Sequence, residues 1–182
     1  MTRPPRPGLP RSERELVERV ARHLTDQGYH AYIDLDGTSY FDLIVRRGEE
    51  VGLVEAKLGQ GRALLAQALR RRPWGNWVAV VLPSLRIAER LVRETTGRRA
   101  EPVGVWWLDG ETVRTVRAAR AFPARGEGED PYDAVRAQLR LALDRVDRGE
   151  TPEGLRWDGV LSEVRRASGG RGFAEWRLDE GT

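Results

Sequence analysis

The spacing of apolar residues changes several times along the chain, and each change marks an element. Leu16, Val17, Val20 and Leu24 recur at helical spacing. Ser12 with Glu15 three residues later forms a capping box ahead of them, and Gln27-Gly28 closes the predicted helix. Tyr29 to Leu35 is strand-like and runs into a turn at Asp36-Gly37. Tyr40 to Val45 and Val51 to Leu58 read as two strands joined by Arg46 to Glu50. Residues 61–72 return to a helical pattern with a broad apolar face over Ala63 to Leu69, and Pro73 stops it. Trp77 to Leu82 is continuously apolar, as expected of a strand covered on both faces. Pro83-Ser84 opens a helix through Arg93, with Leu85, Ala88, Leu91 and Val92 inward. Val103 to Leu108 and Thr112 to Val116 predict two more strands around Asp109-Gly110.

This order predicts an α/β fold, a mixed central β-sheet flanked by helices, with a mainly helical C-terminal extension. Residues 1–11 are rich in Pro and Arg and read as a disordered basic tail. Residues 12–122 form the predicted domain, and 123–182 a linker and extension. Within the extension, 131–148 is a predicted amphipathic helix with Val135, Leu139, Leu141, Ala142 and Val146 as its apolar positions. Weaker patterns follow, a short helix at 157–167 and a stretch from Gly172 to Leu178.

Composition narrows the function. The chain has 182 residues and no cysteine, which removes disulfide frameworks and thiolate metal sites. The apolar runs are too short to span a bilayer, and the N-terminus lacks a signal-like stretch. The expectation is a cytoplasmic protein with no membrane partner. Charge is segregated: residues 12–58 hold six basic and ten acidic residues, whereas 59–100 hold nine basic and two acidic. An acidic segment followed by a basic one suits a metal site beside a phosphate-binding surface. His23 and His30 lack metal-ligand spacing, and Gly59 to Arg62 lacks the pattern of a phosphate-binding loop.

Of the 31 lysines and arginines, only Lys57 is lysine. Arginine stays protonated, whereas a lysine pKa moves readily with its surroundings. If the turn is centred between Gly48 and Glu49, Asp42 faces Glu55 across the hairpin. Alternation then puts Lys57 on the face of Glu55, and Phe41, Leu43 and Val45 on the other face with Val54 and Ala56. Two opposed carboxylates need compensation. Lys57 could provide it as an ion-pair partner. A divalent cation could also do so, since Mg2+ commonly binds one or two carboxylates plus substrate phosphate, with the Ala56 carbonyl as a further oxygen. Lysine beside such a site can assist an attacking water.

The segments Phe41-Asp42-Leu43-Ile44-Val45 and Val54-Glu55-Ala56-Lys57 resemble the PD-(D/E)XK nuclease superfamily. Ser12 to Val17, followed by a Gly-Tyr turn, resembles its Holliday-junction-resolvase-like branch. The resemblance covers roughly residues 12–82, with Phe41 where the motif's name has proline. It implies a restriction-endonuclease-like core and a Mg2+- or Mn2+-dependent DNA endonuclease. Asp42 and Glu55 would hold the metal, Glu13 of the first helix would reach it, and Gln67 of the helix after the motif would assist. DNA is the implied partner, and a homodimer is one route to cutting both strands. Nothing beyond residue 120 matches the resolvases, so the junction substrate does not follow. Two rival readings remain at this point. One is a non-catalytic DNA- or protein-binding module on the same scaffold, and the other is a domain whose Asp42, Glu55 and Lys57 form a structural ion network.

Overall fold

A computed structural model describes residues 9–33, 41–59, 61–98, 100–121 and 132–150. The chain divides into two compact units. One takes Met1–Asp34 and Phe41–Pro123, and the other takes Leu35–Tyr40 and Ala124–Thr182.

The first unit begins with helix α1, Glu13–Asp26, capped by the Ser12 side chain, which accepts from the Glu15 N–H. The Glu15 carboxylate reaches one residue further back than a capping box requires, accepting from the Arg11 N–H at 2.7 Å. Strands β1, His30–Ile33, β2, Leu43–Arg47, and β3, Glu50–Ala56, follow, then helix α2, Gly61–Arg71. Strand β4, Trp77–Leu82, helix α3, Leu85–Thr95, and strands β5, Gly104–Asp109, and β6, Thr112–Arg117, complete the unit. The sheet runs β1-β2-β3-β4-β5-β6. It is mixed: β3, β4 and β5 are parallel neighbours, and the remaining pairs are antiparallel. Because β4 lies inside the sheet with helices on both faces, its side chains from Val78 to Leu82 are fully buried.

The two faces have different covers. Leu16, Val17, Val20 and Leu24 of α1 join Leu43, Val45, Val54, Ala56, Ala79 and Val81 in one cluster. The alternate residues of the strands face α2 and α3, which pack on β3, β4 and β5. The β2–β3 turn has the expected centre, and Gly48 takes the left-handed conformation (φ +61°) that a two-residue turn needs there. Leu43 pairs with Val54 and Ile44 with Leu53, the register expected from the sequence. Strand β2 nevertheless starts at Leu43 and continues to Arg47, and β3 starts at Glu50 and ends before Lys57.

Several apolar expectations shift. Phe41 precedes β2 and escapes its alternation, so its ring packs on Trp74 instead of joining Leu43 and Val45 (centroids 5.7 Å apart, edge-on). On α3 the buried stripe is Ala88, Leu91 and Thr95, while Leu85 lies on its flank at 39% exposure. The second unit is described through helix α4, Asp133–Asp147, which buries Val135, Arg136, Leu139, Ala142 and Leu143. Leu141, expected on its apolar face, is 56% exposed because it falls between the buried rows. The fold class is thus the expected one, a mixed sheet with helices and a helical C-terminal part. The turn at Asp36-Gly37 and the patterns beyond residue 150 lie outside the described residues. Among the described residues, no helix is long and apolar enough to cross a membrane.

Candidate functional site

The candidate site lies where β3 ends. Leu43↔Val54 is the last ladder pair before Asp42 and Glu55, so these two acids meet across the open end of the hairpin. Asp42 is fixed there by the chain itself, its Oδ2 accepting from the Ala56 N–H at 2.8 Å. The Lys57 N–H donates to the Val81 carbonyl of β4 at 3.3 Å, which holds the strand end against its parallel neighbour.

Glu55 points to the α2 side and is 1% exposed. Its Oε1 accepts from Arg71 Nε at 2.9 Å. Its Oε2 is buried and has no hydrogen-bond partner among the described residues. Such an atom costs free energy unless something fills its coordination. The Arg71 guanidinium also stands over the Phe41 ring, 5.0 Å from its centroid. Phe41, Arg71 and Glu55 therefore form one packed group on the α2 face.

Lys57 turns the other way. Beyond the end of β3 it no longer follows strand alternation, and its Nζ meets Glu13 Oε2 of α1 at 3.1 Å. Both side chains of that pair are partly exposed, so it lies at the rim of the site. Glu13, picked out for the metal, is thus engaged by the lysine picked out for the water. Its charge still reaches Asp42.

The electrostatics follow from burial. Burial pushes the Asp42 carboxyl up, and nearby Glu13 adds to this, against the lowering effects of the Ala56 N–H, Lys57 and Arg71. Burial pushes Glu55 up to about 7, with Asp42 reinforcing the rise and Arg71 and Lys57 opposing it. Two adjacent carboxyls that are both reluctant to ionise make a pair that a cation would stabilise.

The donor set fits a divalent cation in part. Asp42, the orphaned Glu55 oxygen and a backbone carbonyl are the hard oxygen donors that Mg2+ or Mn2+ uses with substrate phosphate. Among the described residues, no group of three or more His, Cys, Asp or Glu side chains is placed to hold a metal ion. Gln67 is half-buried on α2, one turn before Arg71, and makes no hydrogen bond among the described residues.

The residue that sequence reasoning passed over is Arg71. It falls within Arg70-Arg71-Arg72, where a helix-end cation is ordinary. Its signal was positional: Leu64, Ala68 and Arg71 recur at i, i+4 and i+7, so Arg71 continues the buried stripe toward the sheet.

No protein-family model matches the chain, and no curated protein matches it. A solved structure of a protein of unknown function from Silicibacter pomeroyi is similar over 76% of this chain and 91% of that one, at 19% identity and a TM-score of 0.47.

Proposed function

We propose that this chain is a metal-dependent phosphodiester hydrolase of the PD-(D/E)XK type, acting on DNA, with its metal on Asp42 and Glu55. One observation carries the reading. A buried glutamate with an unsatisfied oxygen faces a second carboxyl, and the chain's sole lysine stands at the rim of the same strand end.

When bound, Mg2+ or Mn2+ supplies the positive charge that polarises a phosphoryl oxygen and acidifies water. The protein's own groups prepare for this. The Ala56 N–H holds one Asp42 oxygen, which orients the carboxyl. Arg71 holds Oε1 of Glu55 and leaves Oε2 as the donor. Glu13 keeps the Lys57 ammonium at the rim, where a water or phosphate would approach from solvent. In the proposed mechanism the Lys57 ammonium leaves Glu13 to orient that water and to steady the negative charge that develops on the phosphoryl oxygens.

The test is cleavage of plasmid and branched DNA by purified protein with Mg2+ or Mn2+. Wild type is expected to cut, and Asp42→Ala and Lys57→Ala to lose on the order of 100-fold or more. Equal cleavage by wild type and both variants would eliminate the site. A second reading, a non-cutting DNA- or protein-binding module, is favoured by one feature: Glu55, Lys57 and Glu13 already have ionic partners. DNA binding without cleavage under either metal would select it.

A further inference from the structure

We propose that Arg86, Arg90 and Arg93 of α3 form a track for a DNA backbone leading to the strand-end site. This rests on the reading that the chain acts on DNA, but not on its cutting DNA. The three arginines recur at i, i+4 and i+7, so they stack along one exposed face of the helix. The inward stripe of Ala88, Leu91 and Thr95 lies on the opposite side. With Ile87 the arginines line a surface cavity of about 450 Å3.

The arrangement is costly for the protein alone. Like charges one turn apart on a helix repel and destabilise it. None of the three makes an ion pair or hydrogen bond among the described residues, although Glu89 and Glu94 lie on the flanks of the stripe. Several exposed arginines elsewhere are paired, as in Arg14–Glu18, Arg22–Glu111 and Arg120–Glu101. The α3 stripe differs in presenting its charge outward.

Its position suits a polyanion bound for the site. Strand β4 runs parallel to β3, and its Val81 carbonyl holds the Lys57 N–H. Two residues, Pro83 and Ser84, separate the end of β4 from α3. The helix therefore starts at the sheet end that carries Asp42, Glu55 and Lys57. From Arg86 to Arg93 it rises about 10 Å, close to three phosphate-to-phosphate steps along one strand at about 3.4 Å each.

The experiment measures binding of the full chain to a fluorescent DNA duplex in EDTA across a salt series. Arg86→Gln/Arg90→Gln/Arg93→Gln is compared with Arg14→Gln/Arg22→Gln/Arg114→Gln, which removes the same charge from paired surface positions. The α3 triple should bind more weakly, with a log K against log salt slope shallower by about 2.7, the release expected from three phosphate contacts. The control triple should keep the wild-type slope. Equal losses in both triples, or no duplex binding by wild type, would overturn the track. Because EDTA removes any need for cleavage, a catalytically silent protein could still show it. Failure of the hydrolase reading is read separately, from Asp42→Ala in the cleavage assay.

Discussion

Glu55 is the residue on which the proposed chemistry turns, because its burial and its partner pull in opposite directions. Burial favours the neutral acid, and Arg71 at 2.9 Å favours the charged one. With the folded-state pKa raised from 4.5 to about 7, the native state binds more protons than the unfolded chain between those values. Stability is then fully present below pH 4.5 and falls as pH rises through 7, by an amount on the order of 3 kcal/mol. Asp42 is raised by burial in the same direction, so its contribution to stability has the same sign. Denaturant midpoints measured from pH 5 to 8 should decline for wild type and decline less for Glu55→Gln. A wild-type profile that rises over this window would refute the assignment. Arg71→Leu removes the compensating charge and should cost about 3–5 kcal/mol at pH 8. The cost should shrink at pH 5, where Glu55 can take up a proton. A pH-independent loss in Arg71→Leu would mean that packing on Phe41, not charge, is what the arginine supplies.

At the scale of elements, the hairpin of β2 and β3 was the most legible part of the sequence. The turn residues fix its centre, and the centre fixes the cross-strand pairs from Arg47↔Glu50 to Leu43↔Val54, which brings Asp42 and Glu55 to the same open end of the hairpin. What alternation could not convey was where each strand stops. Phe41 lies before β2 and Lys57 after β3, so neither obeys the strand's two-residue period, and each turns to the face opposite the expected one. The Glu55–Arg71 pair was hidden for another reason. It joins a strand to the far end of a helix, and local pattern says nothing about which of three consecutive arginines the packing turns inward. A further device joins β3 to β4: Gly52 pairs with Trp77, whose indole lies flat over the missing side chain. A Cβ at Gly52 would come within 2.0 Å of Trp77 Cζ2. Gly52→Ala should therefore cost about 1–3 kcal/mol, as overpacking does, and lower the thermal midpoint. Trp77 fluorescence should shift too, since the ring would leave Glu50 and Trp106. An unchanged midpoint would show that the indole swings aside freely.

Across the whole molecule, the segregation of charge seen in the sequence acquires a location. The acids at the site come from α1, the start of β2 and the end of β3, whereas basic residues of the following segment occupy α2 and the outer face of α3. A reluctant pair of carboxyls and the outward arginines of α3 are what the proposed phosphate-bearing substrate would require. The central claim is that Asp42 and Glu55 share one divalent cation. Its most direct test is calorimetric titration of Mn2+ into wild type, Asp42→Ala and Glu55→Gln at pH 7 in buffers of different ionisation enthalpy. The account predicts one site in wild type that releases protons as the raised carboxyls give way to the metal, and loss of that site in both variants. Identical heats in all three proteins, or no binding by wild type at millimolar metal, would contradict it.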